Sequence, residues 1–217
     1  MQNALIIIAA AVLLGGLLYF KKKGDIRTAF LTKTPLSLLF VLAVLVQPHP
    51  LPGYYYCLLI GLILCLAGDI FLALPQKIMF PLGLISFLFG HVFYIFAFIH
   101  VAEASEWFSF ESLIVFIISG WIYFRLRPHL EKMMIPVLLY IIVITIMFCG
   151  AWAVLGTTGW NFAGTSALVL GAGCFYLSDI FVARDRFIRK EFLNQLIGLP
   201  LYYAGQFLLA FSVGLLV

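Results

Sequence analysis

Eight runs of apolar residues, each long enough to cross a bilayer, leave this chain little choice of fold. They cover about 3–20, 28–46, 54–74, 78–99, 108–126, 133–155, 162–183 and 193–216. A helix needs ~20 residues to span a hydrocarbon layer of ~30 Å, and helices satisfy their own backbone hydrogen bonds there. The expectation is an all-α protein: a polytopic membrane helix bundle of eight transmembrane helices. Only 10% of the 217 residues are charged, against about 25% in soluble domains. No polar segment is long enough for a separate domain, so 1–217 reads as a single transmembrane domain.

The thirteen basic residues set the orientation. Lys21, Lys22, Lys23, Arg27 and Lys33 lie in or beside the first connection, and Lys77 in the third. Arg125, Arg127 and Lys132 flank the fifth, and Arg184, Arg186, Arg189 and Lys190 fill the seventh. The alternate connections carry none. By the positive-inside rule both termini lie on the non-cytoplasmic side, in what reads as a bacterial cytoplasmic (inner) membrane. Lys21 to Lys23 follow the first apolar run and nothing basic precedes it, the reverse of a signal peptide, so that run reads as a retained span. Lys33, just inside the second span, is placed to snorkel to the headgroups. The charge is spread over short loops and makes no basic face for nucleic acid.

Apart from Glu111 at the mouth of the fifth run, two acidic residues sit inside the runs: Asp69 in Gly68-Asp69-Ile70-Phe71-Leu72-Ala73 and Asp179 in Ser178-Asp179-Ile180-Phe181-Val182-Ala183. A carboxylate at mid-membrane costs roughly 2.5–3.5 kcal/mol on insertion scales, so such residues mark function. Four to five residues before their span ends, both lie roughly 6–8 Å inside the cytoplasmic edge of the hydrocarbon. That is where the tail of a lipid meets its headgroup. Close carboxyl groups in a poorly solvated site share one proton, the arrangement general acid–base catalysis requires. Structural pairing of each acid with a neighbour is the alternative.

The two motifs also mark an internal repeat. Gly61 precedes Asp69 as Gly171 precedes Asp179, and Gly83, Gly90 and His91 match Gly198, Gly205 and Gln206. Two parallel four-helix repeats would explain this. Gly61, Gly68, Gly171 and Gly173 would then let spans three and seven pack closely. His91 and Gln206 become candidates for binding polar groups of a substrate, with interhelical hydrogen bonding as the alternative. Tyr140, Tyr176 and Tyr203 are candidate site residues or packing aromatics. Lys33, with Arg184 and Arg186 at similar depth, is a candidate for holding a phosphate or simply a topology signal.

The four cysteines lie in apolar runs and make no CxxC. There is no Cys/His set with metal-ligand spacing, no GxSxG elbow and no Gly-rich phosphate loop, so neither a metal nor another cofactor is expected.

The aspartate motifs, with Gly90-His91-Val92-Phe93-Tyr94, Tyr202-Tyr203-Ala204-Gly205-Gln206 and Thr32-Lys33-Thr34-Pro35-Leu36, resemble the YhhN family of integral membrane lysoplasmalogenases. An extra threonine separates lysine from proline here. The resemblance implies a lysophospholipid substrate in the lipid bilayer. Its sn-1 vinyl-ether bond would be cleaved to a fatty aldehyde and glycerophosphocholine or glycerophosphoethanolamine. It implies metal-free acid–base catalysis by Asp69 and Asp179; the sequence around Asp179, with Phe175, Tyr176 and Phe181 to desolvate it, favours that residue as the acid. Lys33, His91, Tyr140, Tyr176, Ser178, Tyr203 and Gln206 would bind substrate. A proton-coupled transporter or flippase for a lipid-like substrate is the competing expectation, since paired intramembrane acids also serve proton relays.

Overall fold

The computed structural model describes residues 2–217. Its long helices are α1 (Gln2–Lys23), α2 (Ile26–Leu45), α3 (Pro52–Ala73), α4 (Met79–Ile99), α5 (Phe110–Leu126), α6 (Met134–Ala153), α7 (Phe162–Ala183) and α8 (Phe192–Leu215). No strand occurs among the described residues, and the expected runs end within three residues of these helices. Seven helices are long and apolar enough to cross a membrane, making this an integral membrane protein. The eighth, α5, has 17 residues and is not among the seven.

Local chemistry explains the joints. The α1–α2 connection turns through Gly24, whose φ of 75° suits a residue without a β-carbon. Asp25 then caps α2, its carboxylate accepting from the Thr28 amide at 3.1 Å and the Thr28 hydroxyl at 2.6 Å. Asn161 caps α7 in the same manner, accepting from the Ala163 amide at 2.9 Å. Pro52 opens α3, where its missing N–H costs nothing. Beyond Ala183 the chain continues as a wider π turn, Arg184–Ile188, before α8 begins.

Sequential helices form the tightest pairs, α3 with α4 and α7 with α8. A β-carbon on Gly61 would stand 3.0 Å from the Gly90 carbonyl oxygen, and one on Gly90 would stand 3.2 Å from that of Gly61. Gly171 and Gly205 repeat this reciprocal approach at 3.1 and 2.8 Å. At such distances only glycine lets the two backbones meet. The expectation that these glycines join α3 to α7 is therefore corrected. Gly61 and Gly68 face Tyr94 and Phe87 of α4, Gly171 faces α8, and Gly173 faces Phe148 of α6. Short loops bring consecutive antiparallel helices together first, and the small residues serve those seams.

The halves of the chain interlock through their second helices: α2 packs on α8, and α6 packs on α4. Between the pairs lies an aromatic core in which Phe175 stands 4.6 Å from the His91 ring, 5.2 Å from Tyr202 and 6.3 Å from Phe87.

Candidate active site

Asp69, four residues before the end of α3, is 2% exposed and is held from two neighbouring helices. Lys33 of α2 places Nζ 2.8 Å from Oδ1. Ser37, one helical turn further on the same face, donates to Oδ2 at 2.7 Å. Tyr202 of α8 also donates to Oδ2 at 2.7 Å. A carboxylate can only accept, so the hydroxyls behind these donors must point the same way. Tyr203 donates to Ser37 at 3.0 Å. Tyr94 of α4 donates to Gln206 Oε1 at 2.7 Å, and Gln206 Nε2 donates to Tyr202 at 3.1 Å. Two chains of donors thus converge on one lysine-paired carboxylate, whose Oδ2 has both acceptor positions taken by Ser37 and Tyr202.

Lys33 corrects a further expectation. It is 8% exposed and is paired with Asp69 rather than reaching for headgroups. Deep in a bundle, an ammonium beside a carboxylate is more favourable than one left to find water through a long stem.

Asp179, four residues before the end of α7, is held differently. Its one side-chain hydrogen bond comes from Tyr140 of α6, which donates to Oδ2 at 2.6 Å. None of the three ion pairs among the described residues involves it. It is only half-buried, and Oδ1 is left free of protein partners.

Both aspartates line one cavity of about 490 Å³. Its walls beside Asp179 are apolar, built from Leu84, Ile122, Val137, Ile141 and Ile144. Its outer end carries Lys21, Arg186, Arg189 and Lys190. Arg189 is paired with Glu191 at 2.8 Å. Arg186 stacks over the Phe80 ring at 4.1 Å, and neither it nor Lys21 nor Lys190 has a carboxylate partner among the described residues. Asp185, also at this end, is taken up by the start of α8, accepting from the Glu191 amide at 3.0 Å and Gln195 at 3.2 Å.

The other residues anticipated from sequence are distributed unevenly. Lys33, Tyr140 and Tyr176 line the cavity with the aspartates. Tyr203 and Gln206 lie behind Asp69, in its donor chains. Ser178 is fully buried and donates back to the Phe175 carbonyl at 2.7 Å. His91 is fully buried among aromatic rings, 5.2 Å from that of Tyr140, with no hydrogen-bond partner on either ring nitrogen. Arg184 is paired with Glu191 at 3.5 Å and does not line the cavity. Ser37 and Tyr202 touch Asp69 without having been singled out. Their signal was spacing: Ser37 follows Lys33 by four, and Tyr202 precedes Gln206 by four. Among the described residues no three His, Cys, Asp or Glu side chains are grouped to hold a metal ion.

A polytopic helix bundle with two carboxyl groups in one half-apolar intramembrane cavity defines the class. The chain belongs to the YhhN family, whose model matches residues 28–213. It is 28% identical over 174 residues to proteins named lysoplasmalogenase from Mycobacterium bovis and Mycobacterium tuberculosis, covering 77% of this chain. It is 30% identical over 160 residues to the bovine protein named lysoplasmalogenase TMEM86A, covering 70% of this chain. Each match takes in 63% of the relative, so the chain spans less than two thirds of these proteins. No solved structure matches.

Proposed function

We propose that this protein hydrolyses the sn-1 vinyl-ether bond of lysoplasmalogens, with Asp179 as general acid and Asp69 as a fixed anion. The observation that carries this reading is the shared cavity: two unlike aspartates, an apolar wall and an outer set of unpaired cations. A single-chain phospholipid has the matching order of parts, an anionic phosphate, a linkage at the glycerol and a hydrocarbon chain. The names of the related proteins agree with it.

In the proposed reaction Asp179 delivers a proton from Oδ1 to the β-carbon of the vinyl ether. The α-carbon becomes an oxocarbenium ion, stabilised by the Asp69 carboxylate, whose donors fix it in place. Asp179, now ionised and held by Tyr140, takes a proton from the water that adds to the α-carbon. The hemiacetal collapses, releasing a fatty aldehyde and leaving the glycerol oxygen as a hydroxyl. One water is consumed, and Asp179 ends protonated as it began.

We further propose eight spans arranged as two parallel repeats, with α5 crossing as the counterpart of α1. The reciprocal glycine seams support this, as does the matched exchange of α2 onto α8 and α6 onto α4. The sidedness follows the basic connections, with the cavity's outer end at the cytoplasmic leaflet. The cavity lining comes from one end of the bundle only, which suits hydrolysis at a leaflet better than passage across the membrane.

Purified protein in detergent with chelator should release aldehyde from a 1-alkenyl lysophospholipid and nothing from the saturated 1-alkyl analogue. Asp179→Asn and Asp69→Asn should each lose about 100-fold or more. Undiminished aldehyde release from either variant would overturn the assignment.

A further inference from the structure

We infer that the cleft between α5 and α7 is the binding site for the hydrocarbon chain of a single-chain lipid; this rests on the reading just proposed. A second cavity of about 250 Å³ lies there, lined by Val115 and Ile118 of α5, Phe148 of α6, and Gly173, Tyr176, Leu177 and Ile180 of α7. Tyr176 and Ile180 also line the cavity that holds the aspartates. The two spaces therefore share Tyr176 and Ile180 as a common wall.

Three features make the cleft a chain site rather than a packing defect. α5 packs on α6 and makes no extended contact with α7, which leaves the cleft open toward the membrane. Leu177 and Ile118 at its edges are 48% and 46% exposed, as lipid-facing residues would be. Gly173 creates its depth, since a β-carbon there would stand 3.3 Å from the Phe148 ring.

The one polar group in the lining is turned away. Thr145 donates to the Ile141 carbonyl at 2.6 Å. Ser119 must then donate to Thr145, at 2.7 Å, and Tyr176 to Ser119, at 2.6 Å. The Tyr176 hydroxyl is satisfied inward, and the cleft meets only its ring.

Position completes the argument. Gly173 precedes Asp179 by six residues, about 9 Å along the helix axis, on the side away from the basic outer end. A lipid with its phosphate near Lys21 and Lys190 and its linkage at Asp179 would direct its chain past Tyr176 into this cleft. The chain stays in contact with bilayer hydrocarbon throughout, so it need not be drawn wholly into the protein.

The test is photolabelling with a saturated 1-alkyl lysophospholipid carrying a diazirine at the chain end, applied to the full chain in detergent. Adducts are expected on the 115–118 and 173–180 segments, competed by unlabelled lipid. They should fall at least tenfold in Gly173→Trp and in Leu177→Trp, the latter an exposed position that keeps the test valid if the former does not fold. Adducts elsewhere, or undiminished labelling in the folded variants, overturn the inference. Because this lipid cannot be hydrolysed, labelling is independent of aldehyde release. Labelling in the cleft without aldehyde release overturns the proposed reaction alone, and aldehyde release with labelling elsewhere overturns the cleft alone.

Discussion

The Lys33 ammonium holds both the carboxylate and the backbone carbonyl of Asp69, at 2.8 and 3.4 Å. Asp179 has a phenol in the comparable place and no cation. The same side-chain type thus sits in two unlike settings, one paired with a cation and one held by a single hydroxyl, and that difference divides the labour between them in the proposed reaction.

Removing Lys33 should expose the cost of a lone buried charge. Lys33→Met is expected to lose about 3–5 kcal/mol of stability, because Asp69 is left without its counter-ion. The double variant Lys33→Met/Asp69→Asn should be more stable than Lys33→Met alone. Thermal unfolding in detergent reads this directly, and additive losses would argue against the pair.

Tyr140→Phe takes away the one protein hydrogen bond to Asp179. A bond of about 1–2 kcal/mol corresponds to roughly a 5- to 30-fold fall in kcat. KM should change little, because Tyr140 holds the acid rather than the lipid. Steady-state aldehyde release separates the two constants, and an unchanged kcat would remove Tyr140 from the reaction.

The glycine seams predict opposite signs for one substitution. Gly205→Ala drives a methyl to 2.8 Å from the Gly171 carbonyl and should destabilise by about 1–3 kcal/mol. Gly120→Ala, with nothing within 4 Å, should stabilise by about 0.4–1 kcal/mol through the unfolded chain. Unfolding temperatures that move the same way in both would contradict the packing.

Outside the spans, Asp25 gives a pH signature. Hydrogen bonds from the Thr28 hydroxyl and amide hold its carboxyl below the usual carboxylate range. Its capping contribution is therefore full above the unfolded value of about 3.9 and fades as pH falls through the lower folded value. The stability gap between the wild type and Asp25→Ala should be widest near neutrality and close on the acid side of pH ~4. A gap independent of pH would mean the cap does not depend on charge.

Much of this was legible before any coordinates. Length and apolarity alone placed all eight helices, because a chain that must bury every backbone dipole has few alternatives. The aspartates stood out because charge is rare in such segments. Partner choice was not legible. Helices apolar on every face carry no stripe to tell lipid from neighbour, so Gly61 and Gly171 could be read as small but not assigned to α4 and α8. Lys33 was misplaced for a related reason: a flexible stem reaches headgroup or carboxylate equally well, and only the position of Asp69 on α3 decides. The α5–α7 cleft exists because two helices fail to pack, which no local pattern records.

The donors to Asp69 differ in when they become available. Lys33 lies 36 residues before it, whereas Tyr202 lies 133 residues after it. At roughly 5–20 residues per second of synthesis, the growing chain carries that carboxylate for something like 7 to 27 seconds before α8 exists. Over that interval the α2 partners, Lys33 and Ser37, are the ones of its cage already made. The cage of Asp69 is therefore completed in chain order, the ion pair being available from the first half of the protein and the phenol only from its last helix.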